Sequence, residues 1–425
     1  MIISNKEFAS NQKIYLVPLF LLLVNMLVAQ PRRVPIDTLT FARFDKNVLR
    51  IPADSSLLNL FFDKFDSVIK TGEGNIHILH IGGSHVQAGT FPHRIRKNLL
   101  QLYHPVLTAG RGMIFPYAVA PKCNNPVDYR VSSGQHFSLV RNVHKELEKP
   151  LGVTGIAVYT KDTLAEISFS LRDTSLHFET DKICLFGFSD KNTVVPIVRI
   201  DTTEYLPVEI DTILRRFTYQ VKPFTDTFVI RMVNDSADTF TITGLFLDNS
   251  KSGITYNSLG VNGASVSSFL KCDYFVSDLH LLQPDLVIFG LGINDAAGDS
   301  FDTLEFVRNY LLLINKVKEV NPNCAFLFIT NNDSYKKISR NKYTVNPRGP
   351  VVQQQFYKLA TMTGGAVWDQ FEIMGGLKSM DKWKQDNLAK TDRVHFTAQG
   401  YNLLGDLFFN AFVDVLIKRW SPREF

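Results

Sequence analysis

The hydrophobic pattern of this chain changes period twice, and that double change limits the folds open to it. Before about residue 125 helical and strand-like stretches alternate. Leu57 to Ile69 reads as an amphipathic helix, Ile76 to Ile81 as a buried strand and Phe91 to Tyr103 as a helix. Strand, loop and helix in succession form the unit of an α/β sheet. From about 126 to 250 the period becomes two. Gly155 to Tyr159, Ile167 to Leu171, Ile183 to Phe188, Val194 to Ile200, Thr227 to Val233 and Thr239 to Leu247 are short apolar runs, and Asn234 to Asp238 between the last two reads as a hairpin turn. Many short strands without helices predict a β-sandwich. After 250 the first pattern returns, with strands at Asp285 to Gly290, Cys324 to Thr330 and Ala366 to Trp368, and helices at Phe301 to Val320, Gly349 to Thr363 and Thr397 to Lys418. The simplest organisation is one α/β domain, residues 30–125 and 251–425, interrupted by an inserted β-sandwich at 126–250.

At 425 residues the chain is long enough for two cores, and 33 phenylalanines supply bulk for them. The formal charge of +5 is dispersed, with no Lys/Arg run of the kind that binds nucleic acid. Lys6 and Lys13 precede an apolar stretch from Ile14 to Ala29, which is followed by Gln30-Pro31-Arg32-Arg33. The stretch falls short of the roughly 20 apolar residues of a membrane span and reads as a signal peptide ending near Ala29, residues 1–29. An uncleaved anchor is the alternative, because Leu27 at the −3 position departs from the small-residue pattern. With the signal removed, no stable membrane span is expected. No cysteine follows the apolar run, which argues against a lipoprotein. Cys123, Cys184, Cys272 and Cys324 show no Cys-x-x-Cys spacing, so zinc and thioredoxin-type readings fail. Export would permit three disulfide pairings, while Cys184 and Cys324 lie in apolar strands and read as buried thiols.

Four separate pieces carry polar chemistry. Ser84 follows the buried strand in Ile78-Leu79-His80-Ile81-Gly82-Gly83-Ser84 and precedes a helix. That is the carboxyl end of a strand, where open α/β sheets bind ligands. Asp392 and His395 precede the last helix; a histidine there can deprotonate a serine hydroxyl, with the carboxylate holding its tautomer. Asn294, in Gly292-Ile293-Asn294-Asp295, follows the strand ending at Gly290, and an amide at that place can donate to an oxyanion, as can the backbone N–H of Gly263. Taken singly, each has a plainer reading: a turn or capping serine, a capping aspartate beside a surface histidine, an Asn-Asp turn, a loop glycine. Together they make up a nucleophile, oxyanion donors (the N–H of Ser84 included), a base and its orienting carboxylate. There is no Gly-x-Ser-x-Gly elbow, which disfavours an ordinary α/β-hydrolase.

In order and spacing the blocks around Ser84, Gly263, Asn294 and Asp392-x-x-His395 resemble the SGNH (GDSL-type) hydrolases, over residues 75–125 and 255–425. The resemblance implies a three-layer α/β/α domain with a parallel sheet, a Ser84–His395–Asp392 catalytic set, and no metal or organic cofactor. One departure is visible: Gly83 stands where the family usually has Asp, so Asp at position 83 is expected to raise kcat. Gly83 to Gly89, Gly110-Arg111-Gly112 through Tyr117, and Met374-Gly375-Gly376 with Trp383 are similar to a narrower subgroup, the periplasmic peptidoglycan O-acetylesterases. In these a carbohydrate-binding-like β-sandwich also interrupts the domain. That likeness implies a periplasmic enzyme removing acetyl from the C6 hydroxyl of N-acetylmuramic acid. Arg111 and His85 are then candidate substrate-binding residues, with loop bracing as the alternative for Arg111 and packing beside the nucleophile for His85. His77 and His80 read as core or interface histidines. An O-acetyltransferase, an esterase of another acetylated polysaccharide, a lipase and a non-catalytic wall-binding protein are the competing readings.

Overall fold

Three neighbouring strands end level with one another at glycines, and this fixes where a site can form. In a computed structural model, Asn75–Gly82 runs parallel between Gly253–Gly260 and Leu286–Gly290, with Gly82 in register with both Gly260 and Gly290. The structure describes residues 31–421 except 103–108, 121, 122, 124, 174, 177, 235–237, 299 and 341. The expected leader at 1–29 and the tip of the expected turn at 234–238 lie outside the described residues.

The sheet has six strands in the order Leu49–Arg50, Ala366–Trp368, Ala325–Ile329, Leu286–Gly290, Asn75–Gly82, Gly253–Gly260. All pairs are parallel except the edge, where Leu49–Arg50 runs antiparallel to Ala366–Trp368. Alternate residues feed two apolar layers. Ile78, Ile288, Leu327 and Trp368 pack with helices Ser56–Thr71, Thr90–Leu100 and Ala398–Trp420. Val287, Phe289, Phe326, Phe328 and Val367 pack with Val266–Leu270, Phe275–Leu282, Thr303–Val320 and Gly349–Thr363. Burial on both faces is why these strands read as unbroken apolar runs. The domain is therefore a three-layer α/β/α unit, with one antiparallel edge added to the expected parallel sheet. Ala398–Trp420 is long and apolar enough to cross a membrane, but two thirds of its apolar window is buried in the first layer.

The interruption is a β-sandwich. One antiparallel sheet joins Glu209–Asp211, Arg216–Phe224, Thr180–Ser189, Phe240–Asp248, Ile156–Thr160 and Ser138–Arg141, with Gly112–Ile114 added beside Phe240–Asp248. The other joins Thr203–Tyr205, Ile197–Ile200, Thr227–Val233, Leu164–Leu171 and Tyr129–Ser132. Ile167, Phe169, Ile230 and Met232 from the second sheet share a core with Ile183, Leu185, Tyr219 and Ile242 from the first.

Where the two units join, two features differ from the sequence reading. Pairing with the sandwich begins at Gly112–Ile114, ahead of the expected boundary at 126, in a strand of three residues too short to show a period. The strand Gly253–Gly260 was not expected because Thr255 and Asn257 interrupt its apolar pattern. Both are buried, and both are satisfied by the segment leading into the sandwich: Thr255 Oγ1 donates to the Ala109 carbonyl at 2.5 Å, and Asn257 Oδ1 accepts from the Met113 N–H at 2.8 Å. A polar pair at this edge thus couples the two units.

Candidate active site

Ser84 opens a four-residue helix, Ser84–Gln87, directly after Gly82 and Gly83. Backbone segments approach so closely here that glycine is required. A methyl group on Gly260 would lie 2.3 Å from the Gln87 nitrogen and 2.8 Å from the Gly83 oxygen. Ser84 is only partly buried, and its Oγ lies 2.8 Å from His395 Nε2. On the far side of the ring, His395 Nδ1 lies 2.9 Å from Asp392 Oδ2. A carboxylate can only accept, so the shared proton sits on Nδ1, leaving Nε2 to accept from the serine hydroxyl.

The turn carrying Asp392 and His395 is held at several points. Asp392 Oδ1 accepts from the Val394 and His395 N–H groups, each at 2.9 Å. Burial works against the Asp392 charge, but the His395 ring and those two backbone donors outweigh it and hold the carboxyl below its usual range. The Lys390 N–H donates to the His395 carbonyl at 2.8 Å, and Asn332 Nδ2 to the Val394 carbonyl at 3.0 Å. Between them Arg393 adopts a left-handed backbone, φ 55°. Its guanidinium ion-pairs with Asp381 at 2.7 Å and sits over the rings of Tyr335 and Tyr343, which belong to the hairpin Tyr335–Ser339/Lys342–Val345.

Opposite His395 stand hydrogen-bond donors. Gly263 follows the strand Gly253–Gly260 with φ 84°. The N–H of its neighbour Asn262 donates to Gln87 Oε1 at 2.5 Å, which ties this loop to the serine helix. Asn294 Nδ2 donates to the Ala264 carbonyl at 2.9 Å. That bond joins the asparagine loop to the glycine loop and leaves the amide a second N–H. As the first residue of a helix, Ser84 carries an N–H with no acceptor inside that helix. Ser84, Gly263, Asn294 and His395 line one cavity of roughly 740 Å³, together with Gln87, Asn262 and Lys390. A hydroxyl on a base, the base on a carboxylate and donors across the cavity can carry out acyl transfer.

The structure moves two expected residues out of this cavity. Arg111 is buried: its Nε donates to Asp128 Oδ2 at 2.6 Å and its Nη1 to the Met113 carbonyl at 3.1 Å, while Arg96 donates to the same carboxylate oxygen at 2.9 Å. Its role is the bracing one, because a guanidinium committed to a buried carboxylate is not available to substrate. His85 turns inward, with Nδ1 2.8 Å from the Tyr401 oxygen and its ring packed beside that of His395, centroids 5.3 Å apart. Burial, then the neighbouring His395, pushes its pKa down to about 3, so the ring is neutral. His80 is buried against Tyr256, as a core histidine. All four cysteines are free, Cys123 partly buried and the others buried.

Sequence reasoning missed Gln87, Asn332, Lys390 and Arg393. Gln87 had a signal, since it sits three residues after Ser84 on the same helical face. The others act through contacts distant in sequence or through backbone conformation, which no local pattern records.

Residues 246–403 match the GDSL-like lipase/acylhydrolase family. The match holds Gly263, Asn294, Asp392 and His395 but stops short of Ser84, which the sandwich separates from it. No curated protein matches the chain. Among solved structures, one titled "Peptidoglycan O-acetylesterase in action, 5 min" is 20% identical and covers 84% of this chain and 95% of its own, with a TM-score of 0.69. The acetyl xylan esterase AlAXEase is 20% identical over 37% of this chain and 81% of its own, TM-score 0.29. A lipase/acylhydrolase from Enterococcus faecalis is 20% identical over 41% and 81%, TM-score 0.29.

Proposed function

We propose that this chain, whose residues 246–403 match the GDSL-like lipase/acylhydrolase family, is a secreted serine esterase that removes O-acetyl groups from a cell-wall carbohydrate, namely the C6 O-acetyl of N-acetylmuramic acid in peptidoglycan. The observation that carries this reading is the unbroken line from Ser84 Oγ through His395 to Asp392, with contacts of 2.8 and 2.9 Å, at the wall of an open cavity. Ser84 Oγ attacks the acetyl carbonyl while His395 Nε2 takes its proton. The oxyanion is met by the N–H groups of Ser84 and Gly263 and the amide of Asn294. His395 then returns the proton to the departing sugar oxygen. Water, deprotonated by the same ring, attacks the acetyl-serine; the Ser84 Oγ–acyl bond breaks, His395 returns the proton to Oγ, and acetate leaves. Asp392 stabilises the imidazolium throughout.

Acetyl removal from a wall polymer is supported by the likeness of fold to a peptidoglycan O-acetylesterase, which extends over the sandwich as well as the α/β domain. The sandwich, on this reading, holds glycan beside the cavity, and residues 1–29 direct export to the periplasm. Acetate release from O-acetylated peptidoglycan, compared with acetylated xylan, tests the proposal. Ser84→Ala and His395→Ala are each expected to abolish release. Full activity in either folded variant removes the mechanism, and faster release from xylan replaces the substrate. Acetyl transfer to an added sugar in place of free acetate makes the enzyme a transferase.

A further inference from the structure

The cavity beside Ser84 has an uneven charge. Among the described residues its lining side chains are almost all neutral: the amides of Gln87, Asn125, Asn262 and Asn294, the hydroxyls of Ser84, Thr90 and Tyr401, and apolar groups. Lys390 is the one lysine or arginine among the residues that line it, and no carboxylate residue is among them. Asp392, two residues away, is committed to the His395 ring and to two backbone N–H groups. Lys390 finds no carboxylate partner among the described residues. Its backbone is nevertheless fixed, since its N–H donates to the His395 carbonyl at 2.8 Å and its carbonyl accepts from the Arg393 N–H at 3.1 Å. A lysine whose backbone is anchored to the turn bearing His395, and whose side chain has no carboxylate partner there, is available to an anion that enters the cavity.

We propose that Lys390 reads the charge of the substrate, so that the site favours an O-acetylated sugar carrying a carboxylate over a neutral sugar ester. The inference rests on the esterase reading given above. The carboxylate belongs either to a lactyl ether, as on a muramic acid whose lactyl group carries no peptide, or to a uronic acid, and both present the same anion to the ammonium. Because Lys390 is exposed to solvent, the pairing has the strength of a surface ion pair, about a two- to fivefold preference.

The test measures kcat/KM for acetate release from 6-O-acetyl-N-acetylmuramic acid, from an O-acetylated glucuronoside and from neutral 6-O-acetyl-N-acetylglucosamine. Wild type is expected to favour at least one anionic ester, and the two anionic arms tell the sources apart. Lys390→Gln brings the anionic-to-neutral ratio toward one, Lys390→Glu inverts it and Lys390→Arg keeps it. The change lies in KM, and about 0.5 M salt erases it, since screening shortens the reach of an exposed charge. The ratio is internal to each preparation, so a variant that is partly misfolded still reports it. A ratio equal in wild type and Lys390→Gln overturns the inference. So does a Lys390→Gln variant that shifts the pH profile alike for all three esters, which would make Lys390 a partner of Asp392 and His395. Normal hydrolysis with an unmoved ratio removes this inference alone. No acetate above the Ser84→Ala control from any ester removes the esterase reading with it.

Discussion

At the scale of single residues the donors proposed to meet the oxyanion are more finely balanced than the Ser84 hydroxyl. Asn294 has two amide protons, one already given to the Ala264 carbonyl at 2.9 Å. Asn294→Ala removes both the donor and the tie between two loops. It is expected to lower kcat for a short acyl ester by roughly 10²–10³-fold, the loss usual for one oxyanion donor. A variant changed only in KM would show that Asn294 binds and does not stabilise. The same neighbourhood reverses the expectation for Gly83. A methyl group there would lie 3.2 Å from Asn294 Nδ2 and 3.6 Å from the Ala264 carbonyl oxygen, on a backbone with φ −92° and ψ −140°. A carboxylate at that place would capture the Asn294 amide and face a carbonyl oxygen. Gly83→Asp is therefore expected to lower kcat by about tenfold or more, approaching the loss of the donor itself. Steady-state kinetics decide, and a kcat above wild type would restore the sequence-based expectation.

At the scale of elements, the hairpin Tyr335–Ser339/Lys342–Val345 packs against Arg393 in the turn that carries His395. Arg393 holds a positive φ between Asp392 and His395, a conformation that costs a non-glycine residue about 1–2 kcal/mol. The ion pair to Asp381 and the two tyrosine rings of the hairpin offset that cost. Arg393→Ala keeps the strain and loses the anchor. We expect kcat to fall by about ten- to a hundredfold, since small misplacements of a catalytic group are expensive, with KM for a small ester nearly constant. A drop in KM-controlled binding with unchanged kcat would show that the hairpin serves substrate and not the base. This element was not legible in the sequence. Lys336, Lys337 and Ile338 are partly or fully exposed, so no buried face imposes a period on it. The helix Gly349–Thr363 and the strand Ala366–Trp368 lie where their patterns placed them, because each has a face or faces in the core.

For the whole molecule, the joint between the two units is electrostatic as well as apolar. Asp128 enters the sandwich and takes hydrogen bonds from Arg96 on the helix Thr90–Leu100 and from Arg111 on the connecting loop, all three buried. Burial opposes the Asp128 charge, but Arg111 and Arg96 outweigh it and lower its pKa to about 2. Its folded value lies below the unfolded one, so its contribution is complete above about pH 4 and is lost as pH falls toward 2. Asp128→Asn is expected to destabilise the protein by about 3–5 kcal/mol near neutral pH, because it leaves two buried guanidinium charges without a counter-charge. Thermal melts from pH 7 down to pH 3 would show the wild-type advantage shrinking at the acid end. An advantage constant across that range would mean that the carboxylate charge contributes nothing.

The sequence by itself determined what is local. Strands buried on two faces announced themselves as unbroken apolar runs and the sandwich as alternation, because burial leaves its period in the side chains that are buried. Asp392 and His395 were legible as a pair because three residues span one turn, where the backbone sets their distance. The tertiary structure decided what strand order decides. It brought Ser84 to His395 across 311 positions, set Gly82, Gly260 and Gly290 level, and drew Arg111 away from the cavity into Asp128. It also placed Lys390 among the residues that line the cavity beside Ser84. A pattern along the chain records which face of an element is buried, but the choice of partner for that face is made by packing between segments far apart in sequence.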